Sequence, residues 1–179
     1  RYVDQKTNHM FIRIDTRAEL KSTFKDYKSQ INFDDYSSVV ISDYDKGFIT
    51  TDDIQFISNK HPVTFLDTKK IIGNWAENVK FIKINRAEYE LSKNHLTEKI
   101  RNNIITTLGS GGAVYHNIQY DVKGVEVKDL SGAGDTFLSG LVCMFLHTNN
   151  IEESIKFANT CATSVVQRKG VTVLSKNIL

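Results

Sequence analysis

The sequence predicts an α/β fold built on a mostly parallel sheet. Segments with strand and helix periodicity alternate along the chain. The run SVVIS at 38–42 is continuous and apolar, as a buried parallel strand is. Long amphipathic segments with helical spacing follow near the carboxyl end. Repeated strand-then-helix order favours a layered fold in which helices cover a parallel sheet.

Element by element, the spacing predicts a strand over 11–14. A helix over 17–31 follows, with Leu20, Phe24 and Tyr27 on one face and Asp15 or Thr16 as its cap. After the strand at 38–42, a short helix at 51–58 carries Asp52 and Asp53 in its first turn, where the helix dipole favours acids. Strands are expected at 63–66 and 81–84, short helices at 87–92 and 97–103, and a strand at 104–108 (IITTL). Residues 113–127 alternate weakly around Gly124 and read as a β-meander. A helix over 135–147 carries Leu138, Leu141, Val142 and Phe145, and one over 151–168 carries Ile155, Ala158, Ala162 and Val165. Arg168 and Lys169 occupy the last turn, Gly170 the C′ position, and 171–174 reads as a closing strand. Pro62 is the only proline, and no repeat or linker divides the chain. Residues 1–179 therefore read as one domain, with 1–16 as a lid or edge strands that could pair across a homodimer.

Composition narrows the classes. With 179 residues, 40% apolar and 25% charged, the chain can bury a core and is neither disordered nor collagen-like. No apolar run reaches the roughly 18 residues of a membrane span. A net charge of +2 and a pI of about 8.5 are too weakly basic for nucleic acid, and Lys69-Lys70 reads as a solvated loop. Cys143 and Cys161 lack metal spacing and read as reduced core thiols, which suits a cytoplasmic protein. The histidines at 9, 61, 95, 116 and 147 show no ligand spacing and read as surface or meander residues. The chain begins at Arg1, on what reads as a strand, and an upstream segment is expected.

The chemistry concentrates at 129–140, DLSGAGDTFLSG. Gly132, Ala133 and Gly134 stand directly before a strong helix. Glycines let backbone approach a ligand, and the free N–H groups of a helix start favour an anion such as phosphate. Asp135 sits at the same point. It could be an ordinary N-cap. A carboxylate beside a phosphate is otherwise costly unless it has a task, and accepting the proton of an attacking hydroxyl is one.

This run resembles the second signature of the PfkB carbohydrate kinases. The resemblance implies Asp135 as general base and the amides of Gly132, Ala133 and Gly134 as an anion hole. Asp129 falls in the family's monovalent-cation loop, but Leu130 replaces a small or hydroxylated residue there. Asn85-Arg86-Ala87-Glu88 is similar to the family's Asn-x-x-Glu, which implies that Asn85 and Glu88 hold an Mg²⁺–phosphate shell through water. The loop 107–112 resembles Thr-x-Gly-x-x-Gly, which packs on the nucleotide, and implicates Thr107, Gly109, Ser110 and Gly112. A dinucleotide fold would need a helix after those glycines, whereas AVYHN reads as strand. Asn159 matches an asparagine beside the adenine.

Ser42-Asp43-Tyr44-Asp45-Lys46-Gly47 resembles the Ser-Asp-Tyr-x-Lys-Gly of heptose-7-phosphate kinases, and Asp67-Thr68-Lys69 resembles their Asp-Pro-Lys, with Thr in place of Pro. On this resemblance Asp43, Lys46 and Lys69 line the sugar-phosphate or ATP-phosphate region. The implied fold is a ribokinase-like three-layer α/β/α, truncated at its N-terminus. The implied cofactors are ATP and Mg²⁺, and the implied substrate is a sugar or sugar phosphate. The family's N-terminal Gly-Gly-x-x-x-Asn region and early aspartate have no counterpart, so the chain alone is expected to bind Mg·ATP and to phosphorylate sugars poorly or not at all. A non-catalytic nucleotide-binding fragment and a nucleoside kinase of the same fold stay open. If the resemblance holds, nucleotide lies across the carboxyl ends of the strands, between the 107–112 loop and the Asn159 helix, with its terminal phosphate toward Gly132, Ala133 and Gly134.

Overall fold

A computed structural model of the chain describes residues 2–6, 10–12, 14, 20 and 23–174. Strands β1 (Tyr2–Val3) and β2 (Met10–Ile12) form a small antiparallel pair. The main sheet contains β3 (Val39–Asp43), β4 (Thr64–Thr68), β5 (Phe81–Asn85), β6 (Ile104–Thr107), β7 (Ala113–Tyr115) and β8 (Ile118–Tyr120), in that spatial order. Strands β3 to β6 are parallel, and β7 and β8 add antiparallel. The turn between β7 and β8 places His116 and Asn117 at φ of 50° and 62°, the paired positive values of a primed hairpin turn.

Helices α1 (Thr51–Lys60), α2 (Arg86–Ser92) and α3 (Glu98–Asn103) lie in the connections between the parallel strands, and α4 (Ala133–Thr148) and α5 (Ile151–Val166) follow the sheet. Side-chain alternation along the strands sorts the core into two layers. Leu66, Ile82, Ile84 and Ile104 pack with Ile54 and Ile57 of α1 and Ile100 of α3. Phe65, Phe81 and Ile105 pack with Phe137, Leu141 and Phe145 of α4 and Ile155 of α5. The result is the expected three layers, helices on both faces of a mostly parallel sheet. The rings of Phe65, Phe81 and Phe145 meet at centroid distances of 4.9 to 5.7 Å, so α4 is fixed on β4 and β5 by an aromatic cluster. Truncating one such ring to alanine costs about 3–5 kcal/mol. Gly140 lets α4 approach α5, since a Cβ there would stand 3.1 Å from the Cys161 sulfur.

Some expectations are corrected. Among its described residues, the predicted helix 17–31 is two short 3₁₀ turns, Phe24–Asp26 and Lys28–Gln30. Thr23 and Asp26 close a local capping box, and the Phe24 N–H is taken by Phe48 O, so local and long-range bonds replace a helical ladder. Its proposed caps, Asp15 and Thr16, lie outside the described residues. Residues 171–174 form no strand, and Val171 and Val173 are exposed beyond Gly170. The meander stops at Tyr120, and 121–128 is irregular. His61 is buried rather than on the surface, its ring nitrogens 2.9 Å from Tyr36 O and 3.0 Å from Val63 O. Cys143 is exposed, while Cys161 is buried and its thiol pushed up by that burial. No helix among the described residues is long and apolar enough to cross a membrane.

Candidate active site

Parallel strands bring their carboxyl ends to one edge, so the loops after β3, β4 and β5 open together. The amino end of α4 meets them there around a cavity of about 170 Å³. Its walls are Ser42, Asp43 and Tyr44 from β3 and its loop, Asp67 and Lys83 from β4 and β5, Lys69 just after β4, and Gly134 and Asp135 from α4.

Helix α4 begins two residues earlier than its periodicity predicts, at Ala133, and this changes the reading of Asp135. The N-cap is Gly132, in the left-handed region at φ +79°, and no side chain caps this end. Asp135 is the third helical residue, so it is not an N-cap. Its carboxylate instead accepts the Tyr44 hydroxyl at 2.7 and 3.0 Å. That bond, with partial burial and the Asp135 charge, pushes the Tyr44 phenol up to about 12. The first intrahelical bond runs from the Thr136 N–H to Gly132 O at 2.8 Å. The amides of Gly134 and Asp135 thus belong to the first turn, where helix N–H groups are free for an anion. The Ala133 N–H is in weaker use, donating to Leu130 O at 3.3 Å.

Beneath this helix start lies a buried charge. Asp67 and Lys83 are paired in the β4–β5 register, and the Lys83 ammonium stands 2.6 Å from Asp67 Oδ2, with side-chain exposures of only 5% and 10%. A Cβ on Gly134 would lie 3.0 Å from the same ammonium, so a side chain there would press on the end of Lys83 where α4 crosses it. Buried pairs of this kind contribute little net stability, which makes their placement at a cavity notable. Lys69 reaches Glu88 Oε1 at 2.5 Å. Burial lowers the Lys69 pKa, but the Glu88 hydrogen bond and charge outweigh it and leave it raised.

Asn85 and Glu88 serve a structural task. Asn85 Oδ1 accepts the Glu88 N–H at 2.9 Å, and Glu88 Oε2 accepts the Asn85 N–H at 2.8 Å, a capping box that starts α2. Through Lys69 this box is tied to the cavity that holds Asp135. One carboxylate and one amide, each with lone pairs left, suit a cation that keeps most of its water. No group of three or more His, Cys, Asp or Glu among the described residues would hold a metal directly.

The remaining candidates divide. Asn85 pairs with Thr107 across β5 and β6, which sets the 107–112 loop beside it. Gly112, at φ +76°, admits no side chain, since a Cβ would fall 2.0 Å from Tyr120 O. Asn159 is buried and donates to that same oxygen at 2.8 Å. Asn159 also lines a cleft of about 680 Å³ between β8 with the strand-following residues and α5. Gly109 and Ser110 are exposed at the loop tip. Asp43 is buried and accepts the Thr68 hydroxyl at 2.7 Å and the Asp45 N–H at 2.9 Å, with Lys70 at 3.0 Å, so it ties β3 to β4. Lys69 and Lys70 are both ion-paired and are not a solvated loop. Lys46 is exposed and does not line the cavity. Tyr44 and Asp67 fall inside the quoted motifs but were given no role, and Lys83 lies in no motif. A lysine inside the apolar run FIKIN was the available signal for Lys83.

A layered sheet whose strand ends meet an amide-rich helix start, with lysines beneath it, is the architecture of phosphate-handling α/β proteins. The sequence profile of the pfkB family of carbohydrate kinases matches residues 59–177. The chain belongs to the PfkB family. Among its relatives is the bifunctional protein HldE of Helicobacter pylori strain J99, 28% identical over 94% of this chain and 42% of that protein. The HldE of Campylobacter concisus is 34% identical over 76% of this chain and 34% of its own length. The fold is shared with ribokinase from Thermotoga maritima, at a TM-score of 0.63 and 21% identity, covering 80% of this chain and 55% of that one. A nucleoside kinase of Burkholderia thailandensis is similar at a TM-score of 0.62 and 18% identity, covering 76% and 52%. The chain thus spans well under two thirds of these proteins.

Proposed function

We propose that the chain is the nucleotide-binding and catalytic portion of an ATP-dependent kinase. It transfers the γ-phosphoryl group of ATP to a hydroxyl of a sugar phosphate of the heptose 7-phosphate type. The observation that carries this reading is Asp135, held in the first turn of α4 without capping it and facing a cavity that also holds Lys69 and Lys83. The heptose assignment rests on the Ser42 to Gly47 motif and on the similarity to HldE proteins.

The acceptor hydroxyl hydrogen-bonds to the Asp135 carboxylate. As its oxygen attacks the γ-phosphorus, its proton passes to an Asp135 oxygen. The new P–O bond forms while the bond to the β-phosphate oxygen breaks, and that electron pair leaves with ADP. Charge spread over the transferring oxygens is met by the first-turn amides of α4, its dipole and the fixed ammonium of Lys83. Mg²⁺ bound with the nucleotide would neutralise phosphate charge, and Asn85 and Glu88 would hold it through water. Asn159 and the 107–112 loop flank the adenosine end, with Tyr120 between them.

Asp135→Asn keeps the size of the side chain and removes the base. Made in the complete kinase, this variant should lose about 10²- to 10⁴-fold in kcat while ATP affinity is unchanged. A variant with normal kcat overturns the assignment.

A further inference from the structure

The cavity contains one polar contact that phosphoryl transfer as described leaves unused. The Tyr44 hydroxyl lies on both oxygens of Asp135, at 2.7 and 3.0 Å, across 91 residues of sequence. The loop that carries Tyr44 does not need this bond for its shape. The Asp45 N–H is held by Asp43, and Lys70 pairs with both Asp43 and Asp45. The phenol keeps its proton far into the alkaline range, so it remains a donor. Tyr44 is 55% exposed at the mouth of the cavity.

Sheet order decides which side of Asp135 this is. Tyr44 follows β3, at one edge of the main sheet, while Asn159 and Tyr120 lie by β8, at the other. Nucleotide reaching Asp135 from the β8 side leaves the β3 side to the acceptor. We infer that Tyr44 is the acceptor-side positioning residue: its hydroxyl fixes the plane of the Asp135 carboxylate, and its exposed ring offers an apolar face to the incoming sugar. This rests on the kinase reading above. On binding, the acceptor hydroxyl takes over one carboxylate oxygen and the phenol retains the other. The base is thus oriented before the sugar arrives, and aromatic walls with few polar groups are the usual lining of a small-molecule site.

The test is steady-state kinetics, in the complete kinase of which this chain is the proposed portion, with ATP and D-glycero-β-D-manno-heptose 7-phosphate, comparing Tyr44→Phe, Tyr44→Ala and Asp135→Asn. Tyr44→Phe should lose about tenfold in kcat, the scale of one hydrogen bond to a charged group, with both KM values within twofold of the parent. Tyr44→Ala should show the same loss in kcat and in addition a rise of about tenfold or more in KM for the sugar, with KM for ATP unchanged. A purely structural tyrosine would not split kcat from KM between these two changes. Both Tyr44 variants within twofold of the parent, with Asp135→Asn inactive, would overturn the inference and leave the base in place. A rise in KM for ATP instead of sugar would overturn it as well. Full turnover by Asp135→Asn, or no phosphorylation of this sugar by the complete kinase, would instead remove the underlying reading and the inference with it.

Discussion

The cavity under α4 and the cleft beside α5 use polar groups in opposite ways. In the first, charges are paired: Lys83 with Asp67, both buried, and the half-exposed Lys69 with Glu88. In the second, the buried polar group is the neutral amide of Asn159, bonded to Tyr120 O, and the charged residues Lys123, Glu152 and Lys156 are exposed on the rim. Burying charge is expensive, and a well-packed apolar pair would hold the sheet as well. The first region therefore spends stability on a fixed field, which fits the proposed role of meeting phosphate charge. The second gives a shaped, mostly neutral wall, which suits a base and ribose.

The largest effect should come from breaking the buried pair. Lys83→Met leaves Asp67 buried without a partner and should destabilise the fold by about 3–5 kcal/mol in denaturant unfolding. The double change Lys83→Met with Asp67→Leu should recover most of that stability but not the turnover. Recovery of both would mean that the pair serves packing alone.

An intermediate effect is expected on the other side. Gly112→Ala forces a Cβ against Tyr120 O at a positive φ and should cost about 1–3 kcal/mol. Because Tyr120 O is also the acceptor for Asn159, KM for ATP should rise while kcat stays within twofold. A change confined to kcat would contradict the separation of the two regions.

The smallest effect is one of pH. Tyr44 holds its proton to about pH 12 when folded, against an ordinary value of 10.0. A folded pKa above the unfolded one adds stability that is complete below pH 10 and is lost as pH rises through 12. Melting temperatures between those values should fall less steeply for Tyr44→Phe than for the parent. Equal slopes would show that the phenol–carboxylate bond does not persist in solution.

How much of this was legible in the sequence differs between the same regions. The apolar runs that became β3 to β6 and the helices α4 and α5 were readable because periodicity is a local signal. So was the glycine-rich approach to α4, although its helix begins at Ala133 and Asp135 is no cap. The pairing of Lys83 with Asp67 was not readable. It depends on register between two strands, and within FIKIN a lone lysine gives no hint of which neighbour it meets. The bond from Tyr44 to Asp135 is equally non-local. The stretch 17–31 misled because Leu20, Phe24 and Tyr27 have helical spacing, yet the Phe24 N–H is committed to Phe48 O.

The central claim is that one nucleotide spans both regions and ends at the start of α4. Backbone amide NMR of the ¹⁵N-labelled chain, titrated with a non-hydrolysable ATP analogue and Mg²⁺, addresses it directly. The account predicts that Gly134 and Asp135 shift together with Gly112 and the Asn159 side-chain amide, all with one dissociation constant. Saturable binding that moves the Asn159 and Gly112 signals and leaves Gly134 and Asp135 unmoved would contradict it.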